Sequence, residues 1–353
     1  MKRRNFILSG LGITGALVVG WGVLPARSRL GKPDNMLLTE GDVALNGWIK
    51  IAKDGNVVLA MHRSDMGQGI HNALSMLVAE ELDVPLSKIR LEQAGHDGIY
   101  GNVAMFVGTL PFHPLQSEGV DKPFVVKSGE WIVGKVAREL GVNATGGSSS
   151  VKDAWEHLRT AAATAKASLL MSAADQWKVP FQELKVTEGV VSHASGKSVH
   201  FGELAKGAAG QTPKNVALKD RKDWALIGKP AARADVPAKT NGTAVFGIDV
   251  RLPNMLFASV VQAPQMGGTL SSFDAKEALA MPGVVKCVQL NSANGSAPGF
   301  AVVAKTTWHA KQAADKVKAQ WAQRAEGAID TKRIEAELKE KLKSEKGFAF
   351  YEK

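Results

Sequence analysis

The sequence contains a single cysteine, Cys287, among 353 residues. One thiol excludes an intramolecular disulfide framework, and it excludes a zinc or iron–sulfur site built from the cysteines of this chain. Cys287 lies within an apolar, strand-like run, which favours a core position over a nucleophile. Any iron–sulfur cluster that serves this protein is therefore expected in another subunit.

Several familiar catalytic motifs are also missing. The sequence has no GxxxxGKS/T phosphate loop, no GxGxxG after a strand, no HExxH and no GxSxG. Its eight histidines are scattered, without an HxH or HxxxH pair. We therefore expect His62, His71 and His96, which bracket a glycine-rich loop, to be surface or hydrogen-bonded residues rather than metal ligands.

The charge is basic, with a formal net charge of +10, and half of the excess lies in the first 35 residues. No arginine–aromatic stripe, zinc finger or RNP-type motif accompanies it, so nucleic acid is not an expected partner. With 45% apolar and 22% charged residues, the composition is that of a folded protein. At roughly 100 to 200 residues per domain, the length predicts two domains or three.

Residues 7–24 are uncharged and follow the basic run Lys2-Arg3-Arg4-Asn5-Phe6. This arrangement resembles a twin-arginine export leader, so residues 1–30 are assigned to a signal or an anchor. An uncleaved segment of this length is just long enough to span a membrane. The expected location is the periplasm or the outer face of the cytoplasmic membrane, and a tether through residues 7–24 is a second possibility.

Hydrophobic periodicity along the rest of the chain predicts mixed α and β structure. A hairpin is expected at 48–61, followed by helices at 70–82 and about 151–177, whereas residues 94–141 show no clear pattern. A proline-containing linker at 211–239 precedes a second region. Its expected strands are 255–261, 284–290, 299–304 and 317–321, and its expected helices are 275–280 and 306–315.

A loop of small residues precedes each long helix. Gly67-Gln68-Gly69 precedes the first, and a TGGSSS segment at residues 145–150 precedes the second. The first amides of a helix lack intrahelical partners and attract anions, so both loops could receive phosphate. Gln68 suits the edge of a polar heterocycle, and the hydroxyls of Ser148 and Ser150 suit phosphate oxygens. The alternatives are a permissive turn and an ordinary serine N-cap, and Asp65 is interpreted as a turn or cap residue.

Four segments together resemble a known family: residues 64–71, 145–150, 242–250 (GTAVFGIDV) and 252–258 (LPNMLFA). They are similar to the molybdenum-binding large subunits of the xanthine dehydrogenase/aldehyde oxidase family, in the branch of the isoquinoline 1-oxidoreductase beta subunits. The resemblance implies an α+β fold. It places a molybdopterin-binding α/β domain at 40–210, a linker at 211–239, a hammerhead domain at 240–322 and a charged tail at 323–353.

The resemblance also implies a cofactor, molybdopterin cytosine dinucleotide, whose metal is held by the pterin dithiolene rather than by protein side chains. Gly67, Gln68 and Gly69 would contact the pterin or its pyrophosphate, and Ser148 and Ser150 would contact phosphate or pterin oxygens. The implied reaction is hydroxylation of an aldehyde or an N-heterocycle with oxygen from water. Electrons would leave through a small partner subunit that carries 2Fe–2S clusters.

The family pattern continues past the hammerhead with another pterin loop and a catalytic glutamate, and nothing in this sequence matches them. We therefore expect no catalytic residue in this chain, which would supply part of a cofactor site and be inactive alone. Its charged tail would be truncated, or a second polypeptide would carry the C-terminal half. The alternative is a remnant that holds no cofactor, or a membrane-tethered binding module.

Overall fold

A computed structural model describes residues 28–324, 327, 329–344 and 347. The segment 7–24, assigned above to export or anchoring, lies outside these residues. The chain divides between Pro237 and Ala238 into two compact units, which are considered separately. Both contain helices and strands, which confirms the expected mixed fold class, and the hammerhead assignment of residues 240–322 stays a prediction.

The first unit is built on a four-stranded sheet. Its strands are β1 (Val43–Ala44), β2 (Ile49–Ile51), β3 (Val57–Met61) and β4 (Ile89–Gln93), bonded in that order. Strands β2 and β3 form the expected antiparallel hairpin, whereas β3 and β4 are parallel. A parallel pair needs a crossover, which α1 (Ile70–Leu82) provides. The sequence prediction of this helix is confirmed at both ends.

The region 94–141, in which the sequence shows no clear pattern, is partly helical. It contains α2 (Val103–Val107), α3 (Pro114–Ser117) and α4 (Phe124–Leu140). Several apolar side chains of α4 are exposed, such as Phe124 at 86% and Trp131 at 51%. Gly129 and Gly134 lower its helix propensity.

Helix α5 (Ser150–Trp177) packs against α1 at the centre of the first unit. Small side chains allow this close approach, since Ala161, Ala162 and Ala165 are fully buried beside Leu158. The far side of α5 contacts α6 (Phe201–Ala208), which follows a small antiparallel sheet. That sheet contains β5 (Lys185–Thr187), β6 (Val190–Ser192) and β7 (Ser198–His200). Helix α7 (Val236–Thr240) ends the stretch 211–239.

A buried ion cluster joins distant parts of the first unit. Arg29 Nη2 and Arg63 Nη2 each donate to Asp153 Oδ2 at 2.8 Å, and these three side chains are at most 4% exposed. The backbone N–H of Ala104 donates to the same carboxylate at 3.1 Å. Burial would raise the pKa of Asp153, but the hydrogen bond and charge of Arg29 outweigh it and lower that pKa. One carboxylate therefore links the segment before β1, the end of β3, the start of α2 and the first turn of α5.

The second unit has its own core around Phe300. This ring stacks on Phe273 and Trp321, with centroid distances of 5.8 and 6.3 Å. Cys287 is partly buried beside this core, as expected, and burial raises the pKa of its thiol. The strands are β8 (Phe257–Gln262), β9 (Thr269–Asp274), β10 (Val284–Leu290), β11 (Gly299–Ala304) and β12 (Lys318–Ala322), in two sheets of order β10-β11-β8 and β12-β9. The helices are α8 (Lys276–Leu279), α9 (Thr307–Ala314) and α10 (Thr331–Ser344).

None of the helices in the described part of the chain combines the length and the apolarity that a membrane span requires.

Replacing Asp153 with asparagine tests the ion cluster. The Asp153→Asn change leaves two buried guanidinium groups without their anion, and we expect it to lower the free energy of unfolding by about 3–5 kcal/mol. The same change at Asp220, whose side chain is 76% exposed, is a matched control with an expected effect within about 0.5 kcal/mol. Urea unfolding of both variants measures this difference. Equal, small effects at the two positions would show that the cluster does not hold the unit together.

Candidate functional site

Two glycine loops lie side by side and line one cleft. The first loop, residues 64–69, leads from β3 into α1, and the second loop, residues 145–149, leads into α5. The cleft has a volume of about 380 Å³. Its lining residues are Met66, Gln68, Gly69, Ile70, Ala73, Thr145, Gly146, Gly147, Ser148, Ser150 and Val151. The structure thus brings together four of the five site residues expected from the sequence, and the fifth, Gly67, belongs to the first loop without lining the cleft.

Direct hydrogen bonds connect the two loops at their bases. The backbone N–H of Ser64 donates to Thr145 Oγ1 at 2.9 Å, and Arg63 Nη1 donates to Asn143 Oδ1 at 2.6 Å. Arg63 is also part of the ion cluster with Asp153, which lies in the first turn of α5. The buried cluster therefore sets the spacing between the loops and hence the width of the cleft.

The side chain of Asn102 supports the second loop from below. Its Nδ2 donates to the carbonyl of Ala144 at 2.9 Å and to Ser149 Oγ at 2.8 Å. Ser149 Oγ in turn donates to the carbonyl of Gly146 at 2.7 Å. Since Asn102 is 1% exposed, the loop rests on a fixed, buried amide.

The first loop is closed by its own side chains. Asp65 accepts hydrogen bonds from the backbone N–H groups of Gly67 at 2.8 Å and His71 at 3.1 Å, and from that of Gly69. Burial would raise the pKa of Asp65, but these backbone bonds outweigh it and lower that pKa. Gln68 Oε1 accepts from the N–H of Met66 at 2.5 Å, and Gln68 Nε2 donates to the carbonyl of Ser64 at 2.9 Å.

This arrangement corrects one expectation. Free amides were expected to receive an anion at both loops, but a carboxylate of the chain, Asp65, already occupies those of the first loop. The interpretation of Asp65 as a turn or cap residue is confirmed. The amide of Gln68 makes its hydrogen bonds inside the loop, so this side chain shapes the loop. Gly67 and Gly69, with φ of 101° and 83°, adopt the left-handed conformation that such a tight closure needs.

The second loop leaves its donors free. Ser149, the N-cap of α5, makes no side-chain capping bond, and within the described part of the chain no residue accepts from the N–H groups of Ser150, Val151 or Lys152. Ser150 lines the cleft, is 9% exposed, and its hydroxyl has no hydrogen bond to a described residue. A Cβ added at Gly146 or Gly147 would meet no atom within 4 Å, so the backbone there faces open space. This end of the cleft fits a phosphate group.

The three histidines near the first loop differ from one another. His71 Nε2 lies 2.9 Å from the carbonyl of Arg63, and His96 is exposed, as expected. His62 differs, because it is buried and neither ring nitrogen has a hydrogen-bond partner among the described residues. Burial, followed by the charges of Arg63 and Arg29, holds the pKa of His62 well below its usual value, which keeps this ring neutral.

Sequence reasoning missed Glu80, which holds residues 225–227 against α1 within the first unit. Its carboxylate, on α1 and 1% exposed, accepts from the backbone N–H groups of Ala225, Leu226 and Ile227 at 2.6–3.0 Å. Burial would raise the pKa of Glu80, but these backbone bonds lower it to about 2. A charged residue inside the apolar stripe of a helix was the available signal. Sequence reasoning also missed Arg233, a residue of the first unit that contacts the first loop.

The described residues contain no group of three or more His, Cys, Asp or Glu side chains that could hold a metal ion.

Comparisons with known proteins agree with the motifs. A model described as a molybdopterin cofactor-binding domain matches residues 12–103. The beta subunit of isoquinoline 1-oxidoreductase from Brevundimonas diminuta is 29% identical over 91% of this chain and 40% of its own length. A nicotinate dehydrogenase subunit from Pseudomonas putida is 27% identical over 87% of this chain and 23% of its own length.

The chain is therefore similar to the molybdopterin-binding large subunits of the xanthine dehydrogenase family. Another relative is named a membrane-bound, pyrroloquinoline-quinone aldehyde dehydrogenase, from Gluconacetobacter polyoxogenes, with 28% identity over 91% of this chain and 37% of its own length. The chain therefore spans two fifths or less of the length of these relatives. The first glycine loop and α1 lie inside the matched stretch 12–103, and the second loop lies outside it.

Proposed function

We propose that this chain is the N-terminal portion of a molybdenum hydroxylase subunit, and that the cleft between its glycine loops binds part of molybdopterin cytosine dinucleotide. The observation that carries the proposal is the cleft itself. The first loop is closed by its own hydrogen bonds, and it faces a second loop that offers free helix amides and the hydroxyl of Ser150, which bonds no described residue. When bound, the cofactor supplies the molybdenum that oxidises substrate with oxygen from water. The substrate class is an aldehyde or an N-heterocycle, as the names of the relatives suggest.

The difference between the two loops supports one orientation of the cofactor. Its pyrophosphate lies at the second loop, where the N–H groups of Ser150 to Lys152 and the hydroxyls of Ser148 and Ser150 can donate. The uncharged pterin lies beside Met66, Gln68 and Gly69, because the carboxylate of Asp65 repels an anion from the first loop. The chain contributes binding and orientation, and no catalytic residue is assigned to it.

The assembly follows from the same proposal. A small subunit with 2Fe–2S clusters would accept the electrons, and further residues, on the same or a second polypeptide, would complete the site. Two relatives carry subunit names, which supports a multi-subunit enzyme. We propose twin-arginine export to the periplasm or to the outer face of the cytoplasmic membrane, in agreement with the name of the membrane-bound relative.

A binding module without cofactor is the second candidate. The feature that favours it is the exposed apolar side of α4, with Phe124, Val125, Ile132 and Leu140 between 49% and 86% exposed. Such a surface is typical of a protein contact. It is equally compatible with an enzyme subunit, so cofactor content decides between the two candidates.

A valine at Gly146 tests the cleft. Its side chain enters the open space of the cleft without touching the fold, because no atom lies within 4 Å of the Cβ position. We expect Gly146→Val to lower the molybdenum and released cytidine monophosphate per chain at least about tenfold, which corresponds to about 1.4 kcal/mol of lost binding. Both are measured on protein purified from its host with its partner subunits, alongside the thermal midpoint. Gly210→Val is the matched control, since its Cβ also meets no atom and it lies outside the cleft. Wild-type protein without molybdenum would favour the binding module.

Inorganic pyrophosphate tests the orientation. Ser150→Ala removes one hydrogen bond to a charged group, and titration calorimetry on the full chain should show affinity about tenfold weaker or more. Ser168→Ala, a buried serine further along the same helix, is the control with unchanged affinity. Asp65→Asn should alter the affinity less than about threefold, since the anion lies at the other loop. A strong gain of affinity in Asp65→Asn together with no loss in Ser150→Ala would reverse the assigned orientation.

A further inference from the structure

Arg233 lies in the linker, far along the chain from either glycine loop, yet it contacts the first loop. Its Nη1 donates to the carbonyl of Gly67 at 2.8 Å, and its Nη2 lies 3.7 Å from Asp65 Oδ1. The same Nη1 is 3.7 Å from the position that a Cβ of Gly69 would take. The guanidinium group therefore lies against residues 65–69 of the first loop.

The guanidinium is itself held in place. Arg233 Nε and Nη2 donate to the two carboxylate oxygens of Asp235 at 2.9 and 2.6 Å. Two parallel hydrogen bonds of this kind fix the orientation of the planar guanidinium group. Its remaining nitrogen, Nη1, is then directed at the carbonyl of Gly67. Arg233 is thus pre-organised to bind the carbonyl of Gly67.

The linker before Arg233 is also fixed. The buried carboxylate of Glu80 binds three successive backbone N–H groups at 225–227, and Lys219 Nζ donates to Glu80 at 3.0 Å. Because Arg233 follows this anchored segment within a few residues, the fixed backbone limits where the guanidinium can lie. Glu80 and Arg233 attach the linker to the first unit at two places.

We propose that Arg233 is a positioning residue of the cofactor cleft: through Gly67 and Asp65 it holds the first loop in the conformation that lines the cleft. This role rests on the proposed function of the cleft. Arg233 does not line the cleft, so it acts through the loop rather than on the cofactor. Loss of this contact would leave the carbonyl of Gly67 and the charge of Asp65 without their guanidinium partner, and the loop would open more often.

Hydrogen exchange of the full chain, followed by mass spectrometry, tests the contact. Arg233→Gln should speed the exchange of the amides of residues 64–69 about tenfold, while α1 and α5 keep their protection. Arg233→Lys should restore part of the protection, because an ammonium can donate to Gly67 but cannot make the two-point pair with Asp235. Arg251→Gln is the matched control, since Arg251 also donates to backbone carbonyls, those of Ile248 and Val250, in the other unit.

Molybdenum content of the same variants tests the positioning role. We expect Arg233→Gln to retain several-fold less molybdenum than wild type, with Arg233→Lys between the two and an unchanged thermal midpoint in each. Unchanged exchange at residues 64–69 in Arg233→Gln would overturn the proposal, and so would faster exchange with wild-type molybdenum content. A wild-type chain without molybdenum would instead contradict the proposed function, and exchange alone would then decide whether Arg233 holds the loop.

Discussion

The buried carboxylate of Asp153 is the point on which the first unit depends. It binds two arginines from distant parts of the sequence, and one of them, Arg63, continues into the first glycine loop. Asp153 itself lies in the first turn of the helix that the second loop begins. Three buried charges are costly to place in a protein interior unless they are matched. Because the carboxylate of Asp153 pairs with both arginines, and Arg63 and Asp153 adjoin the first and the second loop, both loops are fixed relative to the same buried cluster.

The two loops use the helix terminus in opposite ways. Asp65 satisfies the amides before α1 from within the chain, and the amides before α5 stay available. The cleft therefore has free backbone N–H donors on one side and a carboxylate that already occupies such donors on the other. A cofactor that carries a pyrophosphate at one end and an uncharged ring system at the other matches this asymmetry.

The sequence revealed local features of the site well. Gly67 and Gly69 mark a tight loop because glycine permits left-handed backbone, and the apolar residues from Ile70 to Leu82 recur at helical spacing. Features that depend on long-range contacts gave no such signal. In the sequence, Asp153 has the pattern of an ordinary acidic residue in the first turn of a helix. Arg233 is one of several charged residues in a stretch without hydrophobic periodicity. Helix α4 was missed although its apolar residues recur at helical spacing, since Gly129 and Gly134 lower its helix propensity.

A crystal structure of the holo protein, purified with its partners, tests whether the cleft between the glycine loops binds the cofactor. We predict cofactor density between residues 64–69 and 145–151, with phosphorus atoms against the backbone amides of residues 150–152 and the pterin beside Met66 and Gln68. Phosphates at the first loop, or a cofactor bound with this cleft empty, would contradict it.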